Sequence, residues 1–478
     1  MGGERLPGLP DTGTPGNREW ITGGSLLRAA WRLSLPMMAA AALQDAFALV
    51  DMFFVGKLGP AAVAAVGAGG VVLGIVYMLA MGVVTGATAL VSHAVGGGRR
   101  TQAEQVAGQS LLVILVLTVI VAALGVPFSE SMLRAMGADE PVIAAGTSYL
   151  QISTGGAFAM FLSVVFSALL RGAGDAITPL WIIGIANLVN IVLDPIFIFG
   201  WGMPALGVAG SAWATLIARC LAAGMMAWVF FVRGHEHFHL KLRDLKPRLH
   251  TITHLFKIGI FGSGRMLMIN LSALALFGIV SDFGTAALAA YTIGLRLRGA
   301  VMMPGMGFGN AAATLVGQNL GAGREDRAAR GVWITTGMYV VFTIVMSLVF
   351  WFLAGPLVRF FNDDPQVVTH GATLLKWLSL GLAFMSLSMV LGRAMSGAGD
   401  TLWPMLVTAI TMLALRIPMS WGLARAMDSV TGVWIGLSLS NVIQGGMFVV
   451  VFQWGRWKTI GRRHIDAAIA REELAAGS

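Results

Sequence analysis

Three carboxylates stand inside long apolar runs of this 478-residue chain: Asp45 and Asp51 in the first run and Asp194 in the fifth. At membrane depth a carboxylate carries a penalty of roughly 3 kcal/mol, so it is neutralised, paired or facing water, and a functional role is the default reading. Asn187, Asn190 and Asp194 recur at i, i+3 and i+7, which on a helix confines them to one face within about 60°. Gln44 and Asp51 are also seven apart, whereas Asp45 points about 100° away from Gln44 and is the outlying member. Pro195 removes a backbone N–H, which implies a bend and a free carbonyl near Ile191 beside Asp194. Such a cluster suits reversible protonation or the binding of a small cation. The structural alternative has Asp51 and Asp194 merely stapling two helices through Asn, Gln or Thr215.

The second half of the chain carries the opposite sign, with Arg265, Arg296, Arg298 and Arg416 inside apolar runs. Some of these side chains can snorkel or bond to backbone carbonyls. Jointly they would give a binding cleft one acidic and one basic wall. Weaker patterns carry less. Gly305, Gly307 and Gly309 lie mid-run after Pro304, which favours close helix packing over a nucleotide loop. His235, His237 and His239 alternate in a polar connection, read as a solvated loop rather than a metal site. No phosphate loop and no hydrolase signature appears, so nothing in the sequence supports an enzyme.

The elements that must hold these groups follow from composition. Apolar residues make up 56% of the chain and charged ones only 12%, with a mean hydropathy of +0.78, which excludes an ordinary soluble protein. Spanning about 30 Å of hydrocarbon takes roughly 20 apolar residues. The spans expected are roughly 31–55, 61–92, 106–126, 142–170, 179–200, 207–232, 256–280, 286–317, 331–351, 367–395, 404–424 and 432–457, twelve in all. With the N-terminus inside, only Lys57, Arg134, Arg359 and Arg425 fall on the outer connections. Most of the remaining basic residues then gather on the inner side, as the positive-inside rule requires. The net charge of +9 is thereby read as topology, not as nucleic-acid binding. The polar first 27 residues give no sign of a cleavable leader.

A shift of 225 residues pairs Gly96 with Gly321, Gly98 with Gly323, Gly172–Asp175 with Gly397–Asp400 and Pro179 with Pro404, without a gap. The chain is therefore a duplicated six-span unit, and because six is even the copies are parallel repeats with the binding site expected between them. The fold expected is an all-α integral membrane protein of two six-helix bundles. Residues 1–30 form an inner tail, 31–232 the N-lobe, 233–255 an inner linker, 256–457 the C-lobe and 458–478 a second tail. The carboxylates of the N-lobe have Asn270, Leu276 and Met419 as repeat partners, so duplication alone does not account for them.

The runs LLRGAGDAITPLWIIGIANLVNIVLDPIFIFG, QDAFALVDMFFVGKLG and GNAAATLVGQNLGAGRED resemble the multidrug and toxic compound extrusion (MATE) family of secondary transporters over roughly residues 30–457. The resemblance implies a multi-pass protein of a bacterial inner membrane. It would export amphipathic, often cationic, compounds in antiport with H⁺ or Na⁺, without a cofactor and as a monomer. In the DinF-like branch the N-lobe aspartates match Asp51 and Asp194, with Gln44, Asn187 and Thr215 as matching neighbours. Spans seven and ten here lack the carboxylates of the NorM-like branch, which counts against C-lobe coupling. The resemblance leaves a lipid-linked saccharide flippase as an alternative, in which the C-lobe arginines would face a pyrophosphate.

Overall fold

The computed structural model describes residues 20–202, 204–461 and 463; most of the two predicted tails lies outside the described residues. Lipid offers backbone groups no partners, so each apolar run closes its hydrogen bonds internally as a helix. The first half comprises α1 (Leu26–Gly56), α2 (Pro60–Gly96), α3 (Arg100–Ala135), α4 (Glu140–Gly155), α5 (Ala157–Gly172), α6 (Ile177–Phe199) and α7 (Val208–Trp228). The second comprises α8 (Leu249–Ser281), α9 (Thr285–Gly321), α10 (Glu325–Phe352), α11 (Ala354–Arg359), α12 (Pro365–Gly397), α13 (Leu402–Ala409), α14 (Arg416–Met427) and α15 (Thr431–Gln453). A π-helical segment, Ile410–Leu415, joins α13 to α14.

Ten of these helical segments are long and apolar enough to cross a membrane, and the bent pair α4–α5 makes eleven. The twelfth expected span is α9, which has the length at 37 residues but is less apolar, carrying Arg296 and Arg298. Span four is not the single rod expected. It breaks by 47° between α4 and α5, at Gly156, where a side chain would strike Leu216 of α7. Pro195, by contrast, lies within α6, which runs on to Phe199.

Repeat symmetry is visible in the turns. Gly98 and Gly323 take φ of +70° and +71°, and Gly174 and Gly399 take +93° and +89°, left-handed conformations that glycine alone adopts without strain. Most buried apolar clusters segregate. The largest draws on α2, α3, α5, α6 and α7 with Leu255 of α8, two others lie within α8–α15 and the residues just after it, and a smaller one joins α1 to Ala311 and Leu315 of α9. Helix α1 packs on α9 and α8 packs on α2, the reciprocal contact that a parallel duplication generates.

Glycines make that contact close. A Cβ on Gly259 would stand 2.7 Å from the Gly82 carbonyl, and one on Gly86 would stand 2.8 Å from that of Leu255. A Cβ on Gly96 would overlap the Gln318 carbonyl, and one on Gly321 that of His93. All four contacts lie in the half of each helix nearest the chain termini, so the halves are sealed on that side. Gln318 Nε2 donates to the Gly172 carbonyl at 2.9 Å and Thr314 Oγ1 to that of Arg171 at 2.9 Å, which stitches the seam further.

The connection between the halves is a packed strap, where a solvated loop is expected. Gln109 Nε2 donates to the carbonyls of Asp244 and Lys246, both at 2.9 Å, and its Oε1 accepts from Arg248 N at 2.8 Å. Phe238 is fully buried against Phe230. His235 Nε2 lies 3.3 Å from Asp175 Oδ2. Among the described residues no three His, Cys, Asp or Glu side chains are grouped to hold a metal.

Candidate functional site

Helices α1, α6 and α7 meet in the first half and bring the polar residues together. Asp51, half-buried on α1, accepts a hydrogen bond from Ser211 Oγ of α7 at 2.7 Å. Asp194 on α6 is fully buried, and neither of its carboxyl oxygens has a hydrogen-bond partner. The two carboxyl groups lie within electrostatic range of one another. One turn away, Asn190 Nδ2 donates to Thr215 Oγ1 at 3.4 Å, while its buried Oδ1 is unpaired.

A fixed negative charge at Asp194 would face no donor and a second carboxyl group, an arrangement that proteins avoid unless something else fills the site. A proton would satisfy it. So would a small cation, since Asp194 and Asn190 between them offer three unpaired oxygens of the kind hard cations take.

Asn187 shares the face of Asn190 but turns its Nδ2 to the Leu43 carbonyl of α1 at 3.1 Å, tying α6 to α1. Gln44 is exposed and lines a cleft of about 580 Å³ of unfilled space together with Asn187 and Thr215. Asp45 is exposed on the other side of α1 and makes no hydrogen bond or ion pair among the described residues, so the cluster does not include it. Ser211 is absent from the sequence reading. It stands four residues before Thr215 on the same face of α7, a spacing that could have revealed it.

Of the C-lobe arginines, Arg298 and Arg416 lie within electrostatic range of one another. Arg416 is buried and donates from Nε to Ser440 Oγ at 2.8 Å and from Nη2 to Asn441 Oδ1 at 2.6 Å. Arg265 donates to Thr408 Oγ1 at 3.2 Å and to the Ser388 carbonyl at 3.3 Å, over the Phe448 ring. Arg298 is half-buried with its Nε unpaired, and Arg296 is exposed. None of the four lines either cleft described here. A larger cleft of about 1200 Å³ of unfilled space lies between the halves, lined by Tyr77 and Arg171 from the first and Asn310 and Arg393 from the second. Gln44, Tyr77 and Arg171 line both this cleft and the smaller one.

Two parallel-repeat helical halves, a polar cluster deep in one and a cleft between them define the architecture of a secondary transporter. The MatE family model matches residues 36–196 and 263–421, and the chain belongs to that family, the MATE transporters. It is 28% identical over 441 residues to the "Probable multidrug resistance protein NorM" of Thermotoga maritima, covering 89% of this chain and 92% of that one. It is 26% identical over 433 residues to the "FAD transporter" of Shewanella oneidensis, covering 90% and 95%. A crystal structure of MATE in the bent conformation superposes with a TM-score of 0.87 at 24% identity, covering 95% of this chain and all of that one, which bears out the fold.

Proposed function

We propose that this chain is a secondary active efflux transporter for amphipathic compounds, driven by inward H⁺. The observation that carries the reading is the fully buried, unpartnered carboxyl of Asp194 beside Asp51. The printed names of relatives, "multidrug resistance protein" and "FAD transporter", support small-molecule cargo. The unit works in a bacterial inner membrane as a monomer with both termini inside, and residues 31–232 and 256–457 are its two rocking lobes.

Because the halves are sealed on the side of the termini, the state described faces outward. Asp51 and Asp194 then take up a proton from the outside. Neutralising that pair removes the repulsion between α1 and α6 and lets them repack, which drives the lobes toward the arrangement open on the other side once cargo has left. Return of the proton to the inside resets the pair. Asp51 keeps its place through Ser211, and Asn187 keeps α6 in register with α1.

Na⁺ in place of H⁺ is a second reading, favoured by the three unpaired oxygens of Asp194 and Asn190. The coupling site itself is tested by Asp51→Asn and Asp194→Asn in everted vesicles. Both variants are expected to insert and fold normally and to lose gradient-driven export. Export at the wild-type rate by both would remove the basis of the proposal.

A further inference from the structure

The charged side chains lining the two neighbouring clefts are all of one sign. Arg171 and Arg219 reach the smaller cleft, and Arg171 and Arg393 the larger, while no Asp or Glu lines either. All three guanidinium groups lie within electrostatic range of Tyr77, and Arg171 and Arg393 within range of one another. Among the described residues no carboxylate pairs with these three arginines and no hydrogen bond engages their side chains.

A charge left in a protein wall without a partner is costly, and several like charges facing one space are more so. For Arg416 and Arg265 the cost is met locally, since they are hydrogen-bonded by Ser440, Asn441, Thr408 and the Ser388 carbonyl. Arg171, Arg219 and Arg393 have no such arrangement. The fold also makes room for one of them: a Cβ on Gly309 would press on the Arg393 stem at 3.0 Å, so glycine there leaves Arg393 its path along α9 to the cleft. Duplication does not explain the set, because the repeat partners of Arg171, Arg219 and Arg393 are Ser396, Gln444 and Ala168.

We infer that the clefts between and beside the lobes form a binding site for an acidic amphipath, a compound that places a carboxylate, phosphate or sulfonate among Arg171, Arg219 and Arg393 with Tyr77 beside it. Guanidinium forks match such oxyanions in bidentate geometry. The remaining wall suits the other end of the molecule. Met37 and Met81 from the first half and Met266 and Met306 from the second line the larger cleft, and their flexible, polarisable side chains fit apolar or aromatic bodies of varied shape. The inference rests on the export reading and narrows its cargo, away from the organic cations that the resemblance implies. The acidic pair at Asp51 and Asp194 is thereby left to the coupling ion.

The test is equilibrium binding to the purified full-length chain at fixed pH with no gradient, so that a failure of coupling cannot affect it. Fluorescence anisotropy is read with carboxyfluorescein, an acidic aromatic probe, and with rhodamine 6G, a cationic one of similar size. Wild type is expected to bind carboxyfluorescein at least ten-fold more tightly than rhodamine 6G. The double variant R171Q/R393Q loses at least ten-fold for carboxyfluorescein and nothing for rhodamine 6G, whereas R171K/R393K, which keeps the charge, retains most of the binding. Addition of phosphatidylglycerol in nanodiscs distinguishes the two sources of the acidic group. Displacement of the dye marks a lipid headgroup as the occupant, and its absence marks a soluble acid; both uphold the site. Tighter binding of rhodamine 6G by wild type, or unchanged carboxyfluorescein binding in the folded R171Q/R393Q protein, overturns the inference while leaving the Asp51 and Asp194 reading untouched.

Discussion

Substituting Gly96 with alanine separates the sealed arrangement from any other that the lobes adopt. A Cβ at this position would overlap both the carbonyl oxygen and the Cα of Gln318 across the seam, and backbone atoms cannot rotate out of the way as a side-chain tip can. Contacts of a real Cβ stay beyond about 3 Å, so the seam must part by roughly 1 Å or more. Overpacking of this kind costs about 1–3 kcal/mol, and a clash with backbone belongs at the upper end. A state in which the lobes are apart on this side does not bear the cost. The equilibrium between the two therefore moves by up to roughly 150-fold toward the open one. Gly224→Ala is the control, because a Cβ there meets nothing within 4 Å. Spin labels at R100C and R330C, both exposed at helix starts on the sealed side, in a C220A background, give the distance between halves by double electron–electron resonance. The Gly96→Ala protein is expected to gain a longer-distance population that wild type and Gly224→Ala lack. Identical distributions in all three would refute the seam as the closed gate.

The repeat-related aspartates at the turns before α6 and α13 should respond to pH with opposite signs. Burial pushes the Asp400 carboxyl up to about 6, against the Trp403 backbone N–H and the charge of Arg456. The folded state thus holds that proton more tightly than the unfolded chain does, and the associated stability is lost as pH rises through 6. The loss amounts to at most about 3 kcal/mol, so Asp400→Asn raises Tm at pH 8 and leaves it unchanged near pH 4 in thermal scans. For Asp175, burial acts to raise the carboxyl, but the His235 hydrogen bond and charge and the Thr178 contacts together hold it below the usual carboxylate range. That contribution is present above the ordinary carboxylate range and is lost as pH falls through the lowered value, so Asp175→Asn lowers Tm at pH 7 and the difference fades in acid. Arg416→Gln leaves carboxyfluorescein binding at the wild-type level, because the Arg416 guanidinium is engaged by Ser440 and Asn441 away from both clefts; weakened binding would show that the second-half arginines take part.

Much of the fold is legible because lipid leaves the chain few options. A run of 20 apolar residues becomes a spanning helix whatever its neighbours, and the 225-residue repeat pairs α9 with α2. The break at Gly156 is not legible in this way, since Gly155 and Gly156 interrupt an apolar run no more than other glycine pairs do, and the bend depends on Leu216 arriving from α7. Helical spacing places Asn187, Asn190 and Asp194 on one face of α6. It does not reveal that Asn187 turns to the α1 backbone, because that depends on where α1 lies. The arginines show the limit most clearly. The span boundaries put Arg171 just beyond span four and Arg393 near the end of span ten, and only the approach of the lobes brings both to one cleft. Arg416, more deeply set in its run, proves to be bonded within the second half. His235 likewise reads as loop until the strap folds back and sets it against Asp175.

The central claim is that inward H⁺ drives export through Asp51 and Asp194, and the most direct measurement uses purified wild-type protein in liposomes free of Na⁺. An imposed pH gradient should move a fluorescent amphipathic probe against its concentration gradient, and collapse of the pH gradient should stop it. Transport that is absent under the pH gradient and appears only when a Na⁺ gradient is supplied would contradict the account.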